Sequence, residues 1–175
     1  WPGKGLDTGP ILFQKEVEIS PDDTVGSLYF NVLFPLGVDA IVESMELIKK
    51  GIAPRISQDE SKATYEGLCS EKDALIKWSE SVSVVYNLIR GTNPQPGAMT
   101  YFRGKRLKIF DSAKREGNSK NQPGEVIDII EDGFTIAASG GAVLVKKVQL
   151  DNSPKIKAAE FARQVGLKAG DILGV

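Results

Sequence analysis

The sequence predicts an α/β segment, a linker, and then a small, closed or nearly closed β-barrel of the OB kind. Three observations predict it. Residues 11–19 alternate apolar and polar side chains and give way, up to residue 50, to apolar residues spaced three and four apart. Residues 52–64 carry no sustained period. Beyond residue 97, five short apolar runs punctuated by glycine-containing turns fall within about 55 residues, the density of a small all-β domain.

"ILFQKEVEI" turns Ile11, Phe13, Val17 and Ile19 to one side and Gln14, Glu16 and Glu18 to the other, the pattern of a half-buried strand. In "SPDD", Ser20 is placed to cap a helix, Pro21 suits its first position, and Asp23 stands where a capping-box carboxylate would. Val25, Leu28, Tyr29 and Val32 carry that helix to Pro35, which kinks or restarts it. Val38, Ile41, Val42, Met45 and Ile48 continue it to the basic turn Lys49-Lys50 and the stop at Gly51. One strand and one helix cannot bury each other well, so this first layer is expected to be incomplete. A chain that opens on Trp1 points the same way, since a whole translation product would begin with Met.

After the linker, Val82, Val85, Tyr86 and Ile89 predict a short amphipathic helix that ends at Arg90-Gly91. "NPQPG" is a stiff loop, because two prolines fix φ. Strands are then expected at 99–103 and 106–111 about Gly104-Lys105, at 124–131 and 134–138 about Asp132-Gly133, and at 142–150 after Gly140-Gly141. A polar loop, "KREGNSKNQPG", separates the second and third strands, and "AAEFARQVG" forms a last short helix. Trp78 reads as a plug in an apolar seam.

Apolar residues make up 41% of the 175 residues and charged residues 26%, the balance of an ordinary globular protein. No uninterrupted apolar run approaches the roughly 18–20 residues that span a bilayer, so no membrane partner is expected. The chain has no histidine, which excludes Ser-His and Cys-His nucleophile pairs and His-ligated metals from these residues alone. Its one cysteine, Cys69, permits no internal disulfide and suits a reducing, cytoplasmic setting; no metal site is expected. Residues 1–67 carry 6 basic against 11 acidic side chains, whereas residues 68–175 carry 16 against 12. The mildly basic second part suits either a solvated surface or a polyanion.

Two constellations carry possible chemistry. In "KGLDTGP", Asp7 reads as a turn aspartate that tightens its own loop. It also reads as half of an aspartic-protease dyad, although the triplet occurs once and a long helix follows it. In the hairpin, Arg103, Lys105, Arg106 and Lys108 beside Tyr101 and Phe102 make either a phosphate-tracking patch with a stacking platform or an edge strand guarded by charge.

Four ordered segments give Asp7 a third reading. "GLDTGPILFQKEVEISPDDTVGSLY", "APRISQDESKATYEGL", "IKWSESVSVVYNLIRGTNPQPGAMTYFRGKRLKIFD" and "GAVLVKKVQL" followed by "AAEFARQVGLKAGDILG" resemble the later part of the folate-dependent formyltransferase family. The family includes methionyl-tRNA formyltransferase and the hydrolase domain of 10-formyltetrahydrofolate dehydrogenase. The resemblance implies that residues 1–51 end a Rossmann-like formyltransferase domain, that 52–69 link, and that 70–175 form an OB-like C-terminal domain. It implies 10-formyltetrahydrofolate as co-substrate, with Asp7 on the catalytic aspartate and Gly5 and Leu6 on the loop that borders the pteridine. It also implies initiator methionyl-tRNA as a partner, its acceptor arm held in part by the C-terminal domain; the oligomeric state is left open. The family's catalytic Asn and His lie upstream of the matching segment, so the chain alone is expected to be inactive. Methionyl-tRNA is the first choice of formyl acceptor and water, as in the hydrolase domain, the runner-up; a sugar nucleotide stays open, and a non-enzymatic RNA-binding module is an alternative.

Overall fold

The computed structural model describes residues 7–117, 120–151 and 153–174. The chain divides into two compact units, Trp1–Leu68 and Cys69–Val175.

In the first unit a helix α1 (Val25–Leu28) passes through a π-helical turn at Tyr29–Leu33 into α2 (Phe34–Lys49). It starts later than expected. Thr24 is the cap: its hydroxyl accepts from the Ser27 N–H at 3.0 Å, and the Ser27 hydroxyl accepts from the Thr24 N–H at 2.9 Å. Ser20 and Asp23 instead close a turn ahead of it, with Asp23 N–H donating to the Ser20 carbonyl at 3.0 Å and Ser20 N–H to the Asp23 carboxylate at 2.9 Å. Pro35 falls where the α-helix resumes after the π-helical turn, as the expected restart requires. The Phe34 N–H reaches back to the Tyr29 carbonyl, and this wider turn brings the proline in at the start of α2, where its missing donor is no loss.

Two expectations for this unit are corrected. Val25–Lys49 is one helical run of 25 residues, long and apolar enough by length and composition to cross a membrane. Asp39, Glu43 and Glu46 recur along one side of it, however, which is the pattern of a helix that packs a single face. None of its residues is buried. The strand expected at 11–19 is reduced to one antiparallel bridge, in which Ile11 and Ile56 exchange hydrogen bonds of 2.8 and 2.9 Å. An extended segment becomes a strand only against a continuous neighbour, and among the described residues of this unit there is none. Lys15 pairs with Glu43 and ties the segment to α2.

The second unit carries α3 (Val82–Gly91), β1 (Ala98–Phe102), β2 (Lys105–Glu116), β3 (Val126–Ile130), β4 (Gly133–Ala138), β5 (Gly141–Leu150), β6 (Ile156–Lys157) and α4 (Ala158–Val165). These strands pair antiparallel, in the order β1-β2-β5-β4-β3, with β6 on β5. Phe102 pairs with Lys105, so the first hairpin turns on Arg103-Gly104, one residue before the expected pair. Both turn residues have positive φ, 50° and 73°, as the mirror-image turn of a two-residue hairpin requires. The next hairpin turns on Glu131-Asp132, because Ile130 pairs with Gly133.

Phe134, Ile136, Val143, Val145, Val148, Leu107 and Ile109 turn to one side of the sheet, where Val85 and Ile89 of α3 and Phe161 of α4 complete the core. Trp78, 5% exposed, joins this core and donates from Nε1 to the buried Thr100 hydroxyl at 3.0 Å. The sheet is not closed into the barrel that was expected. β1 and β3 remain its two edges, and residues 170–174 bridge them through hydrogen bonds from Gly174 N–H to the Tyr101 carbonyl and from Leu173 N–H to the Gly124 carbonyl.

Candidate functional site

In the first unit, Asp7 lies at an exposed turn in the left-handed region (φ 58°), a conformation that aspartate tolerates better than most residues. The turn is held from the far end of the unit. The Gln58 side-chain amide donates to the backbone carbonyls of Asp7 at 2.6 Å and of Gly9 at 2.8 Å. That leaves the carboxylate outward, where it can orient an imidazole or a water if one is brought to it. Gly5 and Leu6 lie outside the described residues.

The hairpin cations of the second unit do not form one free patch. Arg103 stacks on the Phe102 ring at 4.6 Å and donates to the Val165 carbonyl at 3.0 Å and to Asp171 at 3.4 Å. Arg106 and Lys108 both reach Glu71, at 3.1 and 3.0 Å. The Lys108 hydrogen bond and charge, with Arg106 behind them, hold the Glu71 carboxyl below its ordinary range. No such partner is seen for Lys105 among the described residues. Of the four sequence-predicted cations, three are thus committed to contacts within the unit.

A second basic group, which sequence reasoning missed, surrounds the "NPQPG" loop. Lys155 places its ammonium 3.5 Å from the centre of the Phe110 ring, beside Lys108 and Gln149, in a shallow hollow of about 450 Å³ that Pro94 and Pro96 help to line. Lys108 also donates to the Pro96 carbonyl at 3.0 Å. Partial burial, then the charges of Lys147 and Lys108, push the Lys155 ammonium below its ordinary value. An anion set into this hollow relieves that repulsion. No local signal in the sequence announced it, since Lys155 follows a turn well beyond the strand that carries Phe110.

Comparison with known proteins gives these positions a context. Residues 69–166 match the family model described as "Formyl transferase, C-terminal domain". The chain is 39% identical over 171 residues to a methionyl-tRNA formyltransferase of Syntrophus aciditrophicus, covering 98% of this chain and 54% of that protein. It is 38% identical over 171 residues to the human mitochondrial 10-formyltetrahydrofolate dehydrogenase, covering 92% of this chain and 18% of that protein. In structure it is similar to HypX from Aquifex aeolicus, solved in complex with tetrahydrofolic acid, with a TM-score of 0.74 at 18% identity over 97% of this chain and 30% of that one. The chain spans about half the length of the curated formyltransferases it matches. With residues 69–166 matched by the family's C-terminal-domain model and its relatives aligned across both units, the chain belongs to the formyltransferase family.

Proposed function

We propose that the chain is the C-terminal portion of a 10-formyltetrahydrofolate-dependent formyltransferase that acts on methionyl-tRNA, in the cytoplasm. The observation that carries this reading is the 39% identity to a methionyl-tRNA formyltransferase across 98% of the chain, Asp7 turn and basic domain included. Folate supplies the formyl group. The chain supplies the Asp7 carboxylate, which orients the group that takes the proton from the attacking amine. Gly5 and Leu6 border the pteridine. Lys105, the partly committed Arg103, Arg106 and Lys108, and the Lys155 hollow meet the phosphates of the acceptor arm. With no histidine, the chain alone transfers no formyl group.

The experiment is a formyl-transfer assay with 10-formyltetrahydrofolate and charged initiator tRNA, on the protein at its relatives' full length and on residues 1–175. The full-length protein is expected to be active and residues 1–175 inactive. Asp7→Asn in the full-length protein is expected to lower kcat by about 10²–10⁴-fold. Formyl transfer by residues 1–175 alone would sink the reading. The second reading, hydrolysis of 10-formyltetrahydrofolate, is favoured by the 38% identity to the human dehydrogenase. Formate release that is indifferent to tRNA would select it.

A further inference from the structure

Around the hollow beside Phe110, two ammonium groups are set in place by the fold itself. The Phe110 ring, 5% exposed, is fixed first: Asn93 Nδ2 donates to the Phe110 carbonyl at 2.9 Å. Gly97 (φ 83°) backs so closely onto the ring that a Cβ there would stand 2.8 Å from it. Lys155 lies on that ring, its ammonium 3.5 Å from the centre. It directly precedes Ile156, which pairs with Val148, and the Gln149 amide donates to the Ser153 carbonyl at 2.7 Å, so the chain that presents Lys155 is tied to β5. Lys108, whose side chain is 16% exposed, is held by the Pro96 carbonyl and by Glu71, each at 3.0 Å. Lys147 adds a third charge, close enough to repel Lys155. The structure gives neither Lys147 nor Lys155 an ion pair, although Asp111 faces Lys147 across the β2–β5 ladder. Among the described residues that line the hollow, none is acidic.

Three ammonium groups that repel one another, two of them oriented in advance, call for an anion of more than one charge. Glu71 offsets Lys108 only in part, because it is shared with Arg106. We propose that this hollow takes a terminal phosphomonoester, the 5′-phosphate of an RNA strand or of a free nucleotide, in preference to the bridging phosphates of a backbone. A bridging phosphodiester carries a single charge spread over two unesterified oxygens. A terminal monoester carries about −1.5 to −2 near neutrality and has three, enough to give each ammonium an oxygen of its own. Pro94 and Pro96 lay an apolar wall beside the cations, against which the attached sugar can rest, and they bring no backbone N–H of their own. The volume of about 450 Å³ holds a phosphate with its sugar. In a tRNA the 5′-phosphate closes the same arm that carries the amino acid. For an RNA source the proposal therefore rests on the tRNA reading above; a free nucleotide offers the same group.

The test is calorimetric titration of the 175-residue chain with two versions of one short RNA hairpin, 5′-phosphorylated and 5′-hydroxyl, and with AMP and adenosine. The 5′-phosphate is expected to raise RNA affinity about tenfold or more, and AMP is expected to bind where adenosine does not. Lys155→Gln and, independently, Lys147→Gln are expected to remove most of that advantage. Both side chains are exposed, so both variants keep the fold. A general loss of positive charge weakens both RNAs alike, which makes the ratio of the two affinities the readout. An advantage for the 5′-phosphate that both variants remove supports the site with RNA as its source, whether or not AMP binds alone. AMP binding that needs Lys155, with neither RNA bound, keeps the phosphomonoester site, assigns it to a free nucleotide and removes the tRNA reading. Equal binding of the two RNAs, or an advantage that survives both variants, overturns the site and leaves the tRNA reading standing. No binding of AMP or of either RNA overturns both.

Discussion

At the residue scale, Glu71 governs how much of the basic surface is available. It neutralises Arg106 and Lys108 together, and both pairs are exposed enough that their worth to stability is small. Glu71→Gln is therefore expected to leave the melting temperature near that of the parent at neutral pH and to tighten RNA binding several-fold at low salt. A filter-binding salt series checks this, with a steeper slope for the variant. The pH dependence has a definite sign. The folded Glu71 carboxyl lies below its ordinary value of 4.5, so its contribution is complete above that pH and is lost as pH falls through the folded value. Acid unfolding of Glu71→Gln should accordingly be flatter below about pH 4.5. Lys155→Gln separates function from structure in the opposite direction. It removes a repelled charge, so stability should hold or rise slightly while the salt slope of RNA binding falls by about one. A loss of stability with unchanged RNA binding would make Lys155 structural. The cations of the hairpin were legible in the sequence as a run of Lys and Arg. Their partner was not, because Glu71 lies 37 residues from Lys108 and meets it only through the fold.

At the element scale, amphipathic spacing and turn chemistry carried most of the second unit. Val82, Val85, Tyr86 and Ile89 did mark a helix with one buried face, and the glycine-bearing hairpins turn within a residue of their expected positions. What failed was the strand at 11–19, where alternation was real but pairing stopped at the single Ile11–Ile56 bridge. Period two describes a face, and a strand exists only when a second backbone completes the ladder. Gly133 shows how a turn glycine can be fixed by tertiary packing. Its φ is 153°, and a Cβ there would stand 1.8 Å from the Val145 carbonyl oxygen. Gly133→Ala is expected to cost about 2 kcal/mol or more and to lower Tm by roughly 10 °C or more, because neither the backbone angle nor the β4–β5 ladder can yield. Trp78 tests polar satisfaction in the same core. Trp78→Phe should cost about 1–3 kcal/mol beyond lost packing by orphaning the buried Thr100 hydroxyl, and Thr100→Val in the same chain should recover part of it. Equal additive losses in thermal melts would show that the hydrogen bond is idle.

At the scale of the whole molecule, the two units differ in how they satisfy their own apolar surface. Cys69–Val175 has a contiguous core in which Phe134, Phe161, Ile109 and Val145 are fully buried. In Trp1–Leu68, Phe30, Phe34, Ile41, Val42, Met45 and Ile48 are all more than half exposed along one helical run. A soluble domain does not sustain such a surface without covering it. Relatives about twice as long as this chain align across that helix, and the sequence signalled the deficit early, in one helix set against one unpaired strand. The expected consequence is a division of behaviour. Residues 69–175 alone should unfold in one cooperative transition and bind little of a hydrophobic dye. Residues 1–175 should bind the dye strongly, self-associate as concentration rises, and lose residues 1–50 first under limited proteolysis. Light scattering, dye fluorescence and mass mapping of the fragments check each arm. A monomeric, dye-silent, protease-resistant 175-residue chain would mean that the helix finds cover within these residues. The first unit would then be a domain of its own, and the charge contrast between the two parts would have to be explained without a larger formyltransferase around them.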